Sequence, residues 1–140
     1  MQIIQAVKTD KKTIKRFYKS NHYSARFIGD DVCYFIQNDN TAEQELIACV
    51  IISYQQSTPF LHALVVNKDY RSKGLATSLV SHCQQQFQQI TCFVELPLTK
   101  WYLQQGFELT YKQQLATKLA SRLLAYQQKS PFLQSLIWQK

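Results

Sequence analysis

Arg71-Ser72-Lys73-Gly74-Leu75-Ala76-Thr77 sets two cations, one glycine and a small residue where an apolar run ends and a helical pattern begins. A helix N-terminus carries backbone N–H groups without an internal partner, and the positive end of the helix dipole. It holds an anion wherever the chain leaves room. Gly74 lets a ligand approach the backbone, Ala76 adds almost no bulk, and Arg71 and Lys73 supply charge. The chemistry suggested is phosphate binding. The same residues also fit an ordinary strand-to-helix turn with surface cations, because short motifs of this kind recur by chance.

The elements that must position this turn can be read on either side of it. Leu61–Val66 is a run rich in β-branched residues, which predicts a buried strand. After the turn, Leu75, Leu79, Val80, Cys83 and Phe87 fall on one helical face. Read in order, Arg71-x-x-Gly74-x-Ala76, after Leu64-x-Val66 and before an amphipathic helix, resembles the acetyl-coenzyme A motif of the GNAT acetyltransferases. Trp101-Tyr102-Leu103-Gln104-Gln105-Gly106-Phe107 resembles that family's Tyr-x-x-x-Gly-Phe segment, at the expected distance. The resemblance spans roughly Gln2 to Phe107. Leu96-Pro97 and the helix expected at Leu115–Gln128 further resemble a small bacterial subgroup of the family.

The resemblance implies an α/β (α+β) GNAT fold, with a mixed, mostly antiparallel sheet flanked by helices. It implies acetyl-CoA as cosubstrate and transfer of its acetyl group to an amine of a small molecule or peptide. The fourth and fifth strands would splay apart, and the pantetheine arm would enter there and pair with backbone at Leu64, Val65 and Val66. The diphosphate would sit over Arg71, Ser72, Lys73, Gly74, Leu75, Ala76 and Thr77. Tyr102 would be the acid that protonates the departing thiolate. Trp101 and Leu103 would pack and leave its hydroxyl exposed to the reaction; the competing reading is a core tyrosine.

The amine arrives mostly as ammonium, since its ordinary pKa is near ~10, so a base is needed. Glu95, at the end of the fifth strand, and His62, in phase with Leu64 and Val66, are the candidates. Glu95 also fits a strand-end surface carboxylate, and His62 a packed, hydrogen-bonded sheet histidine. His22 and His82 have weaker claims, as loop and helix-surface residues. Tyr23, Ser24 and Arg26 lie where the family shapes its acceptor pocket, and also fit a solvated loop. Two departures stand out. Lys68 replaces a common proline, which is expected only to loosen the turn, and Leu98-Thr99 lacks an asparagine that many members carry.

The remaining sequence sets bounds. One hundred and forty residues suit one domain, expected over residues 1–140. Apolar residues at 46% and charged ones at 18% argue against disorder. No apolar run reaches membrane-span length. Met1–Lys8 is too short and alternating for a signal peptide, so a cytoplasmic protein is expected. Cys33, Cys49, Cys83 and Cys92 show no C-x-x-C spacing and read as reduced core cysteines, with no metal site. Walker, G-x-S-x-G and H-E-x-x-H motifs are absent.

The formal charge is +7, and seven cations from Lys8 to Arg26 face Asp10 alone. That balance suits an anionic cosubstrate. Nucleic acid is a minor reading, with the rival function being a non-catalytic CoA-binding module that docks on RNA through the basic first helix. A monomer or homodimer is expected. The strands are expected at Gln2–Lys8, Val32–Gln37, Leu46–Tyr54, Phe60–Asn67, Ile90–Glu95, Phe107–Tyr111 and Phe132–Trp138. The remaining helices are expected from a Thr9 cap to Lys19 and at Leu98–Gln105, where Gly106 closes the turn.

Overall fold

The structure, a computed structural model, describes residues 2–40 and 42–140. Met1, within the segment Met1–Lys8, and Thr41, within Asn38–Gln44, which reads from its polar sequence as a hairpin loop, lie outside the described residues. The elements run β1 (Ile3–Gln5), α1 (Lys11–Ser20), β2 (Val32–Asn38), β3 (Glu45–Gln55), β4 (Thr58–Val66) and α2 (Leu75–Gln86). They continue as β5 (Gln89–Val94), α3 (Leu96–Gln104), β6 (Glu108–Leu109), α4 (Thr117–Gln127) and β7 (Gln134–Gln139). This is the expected class: a mixed α/β chain whose seven strands are mostly antiparallel and flanked by helices.

The chain packs as two compact units, Met1–Ser53 with Leu61–His82, and Tyr54–Phe60 with Cys83–Lys140. In the first, the strand order is β1-β2-β3-β4. β1 and β2 are antiparallel, with Ile4 opposite Phe35, as are β2 and β3, with Tyr34 opposite Val50. β3 is buried continuously from Leu46 to Ile52, the mark of a strand covered on both faces. One apolar cluster gathers Ile14, Phe17 and Tyr18 of α1 with Cys33, Phe35, Cys49, Ile51 and Ala63. The sequence of the first helix predicts this stripe, since Ile14, Phe17 and Tyr18 share one face at helical spacing.

Its cap differs from expectation. Residues Lys8–Asp10 form a 3₁₀ turn ahead of α1, and the Asp10 carboxylate accepts the Val7 N–H at 2.8 Å. Asp10 takes the place expected for Thr9 because its carboxylate reaches back to an exposed N–H.

In the second unit, β7 pairs antiparallel with both β5 and β6, and Leu136 lies opposite Cys92 on one side and Leu109 on the other. Gln55–Pro59, which reads from the sequence as a loop leading into the central strand, holds a two-residue hairpin turn. Gln56 and Ser57 both have positive φ, 52° and 66°, as a type I′ turn requires. The Gln56 side chain then accepts the Lys118 N–H at 2.8 Å, at the first turn of α4. The sequence predicts a stripe of Leu115, Leu119, Leu123 and Tyr126 for this helix; Leu119 and Leu123 are the buried positions of α4, while Tyr126 is exposed.

Candidate active site

The expected anion turn is built as follows. Asn67 donates its N–H to the Ile47 carbonyl of β3 at 2.8 Å, and its side chain accepts the Asp69 N–H at 2.9 Å. The Tyr70 hydroxyl accepts from the Asn38 amide at 2.9 Å. Residues Lys68–Tyr70 thus form one 3₁₀ turn tied to β2 and β3. With Lys68 in place of proline, the Asn67 cap and the Tyr70 hydrogen bond are what fix the turn's geometry.

Beyond it the backbone turns through two left-handed residues, Ser72 at φ 64° and Gly74 at φ 78°. The Gly74 carbonyl accepts the Ser78 N–H at 3.0 Å, the first bond of α2, so Gly74 is the cap residue. A glycine cap brings no side chain to cover the first N–H groups, and the first turn holds no acid. A Cβ at Gly74 would meet no heavy atom within 4 Å. The space beside Gly74 at the head of α2 is therefore open, with Arg71 and Lys73 near it in the chain.

Arg71 Nε donates to the Val66 carbonyl at 3.2 Å, which ties the exposed guanidinium to the end of β4. Lys73 Nζ lies 5.3 Å from the centre of the Tyr70 ring. All the residues expected at the cosubstrate, Leu64 to Val66 and Arg71 to Thr77, belong to the first unit. The set fits a diphosphate: a helix start capped by an uncovered glycine, two cations beside it and no acid in the first turn of α2.

β4 carries an irregularity that the sequence did not advertise. Ala63 has φ 56°, a left-handed residue inside a strand, and such residues mark bulges and locally interrupted pairing. The Tyr18 hydroxyl donates to its carbonyl at 2.7 Å. Burial, reinforced by the neighbouring thiols of Cys49 and Cys33, pushes the Tyr18 phenol far above its ordinary range, so that hydroxyl stays a donor. Cys33 and Cys49 sit with sulfurs 3.4 Å apart. The hydrogen bond from Cys33 lowers the Cys49 thiol against the opposing effect of burial. All four cysteines are buried free thiols.

The acid–base candidates divide between the units. His62, half-buried in β4 of the first unit, has Nε2 2.6 Å from Ser53 Oγ, as a hydrogen-bonded sheet histidine does. Glu95 is exposed and forms the N-cap position of α3 in the second unit, without a side-chain cap bond. Tyr102 differs from expectation. It is the buried residue of α3, 6% exposed, whereas Leu103, expected to pack, is 43% exposed. Its ring meets Trp101 and Phe107 edge-on, with centroids 4.8 and 5.5 Å away.

The reason lies in the helix end. Phe107 N–H donates to the Tyr102 carbonyl at 3.2 Å and Gly106 N–H to Leu103 at 3.0 Å, with Gly106 at φ 94°. That is a Schellman cap, and the Tyr102–Phe107 contact is its usual hydrophobic partner pair. The Tyr-x-x-x-Gly-Phe spacing thus has a folding role of its own.

The remaining candidates are placed as follows. His82, expected on the helix surface, is half-buried and packs edge-on against Tyr34 at 4.6 Å. His22, Tyr23 and Ser24 line an open cavity of about 380 Å³ together with Lys15, Tyr18, Lys19 and Ala25. Arg26 lies outside that lining. Lys15, Tyr18 and Lys19 were not singled out from the sequence as lining residues. Their i, i+3, i+4 spacing was a usable signal, but Tyr18 reads as stripe and the lysines as solvated face.

Comparison with known proteins agrees with this geometry. Residues 2–107 match the acetyltransferase (GNAT) family. No curated protein matches the sequence. Among solved structures, Rv2747 from Mycobacterium tuberculosis in complex with CoA is 10% identical, with a TM-score of 0.75 over 100% of this chain and 99% of that one. N-acetylglutamate synthase from Neisseria gonorrhoeae, with coenzyme A and N-acetyl-glutamate, is 14% identical at a TM-score of 0.73. It is matched over 99% of this chain, which spans only 34% of that longer protein. A spermidine N-acetyltransferase from Vibrio cholerae is 11% identical at a TM-score of 0.64, over 99% and 95% of the two chains. With the family match extending over most of its length, this chain belongs to the GNAT acetyltransferase family.

Proposed function

We propose that this chain is an acetyl-CoA-dependent N-acetyltransferase acting on an amine of a small molecule or peptide. The observation that carries the reading is the glycine-capped, acid-free N-terminus of α2 beside Arg71 and Lys73. In this reading the N–H groups of Leu75, Ala76 and Thr77 hold the diphosphate, with charge from Arg71 and Lys73, and backbone at Leu64, Val65 and Val66 pairs with the pantetheine arm like an added strand. The bound thioester supplies the activated acetyl group.

A backbone N–H near Val66 faces the charge that develops on the carbonyl oxygen. Tyr102 is proposed as the acid toward the thiolate, on the strength of its place in the Tyr-x-x-x-Gly-Phe segment. Glu95 or His62 is proposed to accept the ammonium proton; Glu95 is exposed, and His62 holds Ser53. The neighbours act on chemically different acceptors, so the acceptor class must come from this chain's own residues.

The chain is proposed to work as a single domain in the cytoplasm, where its four buried free thiols suit a reducing compartment. Among the described residues no helix is long and apolar enough to cross a membrane. The burial of Tyr102 favours one rival, a module that holds the coenzyme without turnover. Coenzyme release from acetyl-CoA, followed against a panel of amines, amino acids and peptides, separates the two. Release with at least one acceptor is expected; tight acetyl-CoA binding without release from any would establish the rival.

A further inference from the structure

The cavity over the end of α1 is lined by Lys15, Tyr18, Lys19, His22, Tyr23, Ser24 and Ala25, with no carboxylate among them. A helix C-terminus ordinarily presents carbonyls and the negative end of the dipole, which repel an anion. Here the carbonyls of Phe17, Tyr18 and Lys19 are occupied from within. Phe17 accepts from the Ser20 hydroxyl at 2.9 Å and the Asn21 amide at 2.8 Å. Tyr18 accepts from the Tyr23 N–H at 2.9 Å, and Lys19 from the His22 N–H at 3.1 Å. His22 is held at φ 58°, the left-handed turn that closes the helix. What the cavity offers is therefore side-chain donors: two ammonium groups one helical turn apart, an imidazole that has a ring N–H in either tautomer, and the Ser24 hydroxyl.

The cavity also connects to the strand proposed for the cosubstrate. Tyr18, part of its lining, donates its hydroxyl to Ala63, the left-handed residue of β4 that immediately precedes Leu64. A ligand in the cavity thus lies against the residue that fixes the start of the Leu64–Val66 segment.

We infer that this cavity takes the acid end of the acceptor, so that the acceptor is a small amine that also bears a carboxylate, rather than a polyamine. The inference rests on the acetyltransferase reading and adds the acceptor class to it. Two lysines on a chain of formal charge +7 repel a polycation, and they gain charge-assisted hydrogen bonds from a carboxylate.

The probes are N-acetylglycine and N-acetylglycinamide, which share size and amide and differ in the charge. Each is titrated into the full chain saturated with coenzyme A, with binding read by calorimetry and by the imidazole resonances of His22. N-acetylglycine is expected to bind at least about tenfold more tightly, with an affinity that falls as salt rises. Lys15→Gln with Lys19→Gln should abolish the preference while leaving coenzyme A affinity unchanged. Equal affinities for the two probes, no binding of either, or a preference that survives the double substitution would overturn the inference. Coenzyme A affinity, measured on the same proteins by a separate titration before saturation, separates that outcome from failure of the acetyltransferase reading, which predicts coenzyme binding whatever the acceptor.

Discussion

Tyr102 has two jobs assigned to it, and they make opposite demands on its neighbours. As the C3 residue of the Schellman cap, its ring must pack against Phe107, and it does. As an acid, its hydroxyl must reach the reacting sulfur. Tyr102→Phe keeps the ring and removes only the hydroxyl. Turnover is expected to fall by at least about tenfold, some 1.4 kcal/mol of barrier, with the melting temperature unchanged. Tyr102→Ala removes the packing as well and should cost about 3–5 kcal/mol of stability. Full activity of the Phe variant with wild-type melting would leave the tyrosine with the cap alone. His62 has a similar division, because its 2.6 Å contact with Ser53 serves the sheet whatever else it does.

At the scale of elements, the turns carry the information that the sequence partly hid. Strand and helix order could be read from periodicity, and β2, β3, β5 and α2 lie within a residue or two of expectation. The misses are local. Nothing in Phe60–Asn67 marks Ala63 as left-handed, since alanine has no preference for that region and the Tyr18 bond that holds it comes from 45 positions away. The Gln56–Ser57 turn lacks the Asn-Gly pair that usually announces type I′. Gly106, by contrast, was legible, because a left-handed helix end favours glycine. Its φ is 94°, which strains any side chain placed there, while a Cβ would meet Trp138 Cδ1 at 3.4 Å, an ordinary packing contact. Gly106→Ala is expected to lose about 1–2 kcal/mol from the backbone alone, read by urea denaturation. A stability equal to wild type would mean that the cap does not hold α3 against the chain that follows.

For the molecule as a whole, the family motifs were legible because they are short, contiguous and glycine-marked. The cavity over the end of α1 was less so. It assembles from one helix face and the loop after it, where each residue taken singly reads as solvated. The acid–base pair was legible only as candidates, since sequence spacing does not report that Tyr102 packs inward or that His62 already holds a partner. The central claim concerns the turn from Arg71 into α2. Its most direct test is calorimetric titration of acetyl-CoA into wild type, Arg71→Ala and Gly74→Val. The first variant loses the charge at the end of β4. The second places a branched side chain in the uncovered space at φ 78°. Each is expected to weaken binding at least about tenfold, or roughly 1.4 kcal/mol, in a protein that still melts cooperatively. Unchanged affinity in both folded variants would put the coenzyme elsewhere and contradict the account.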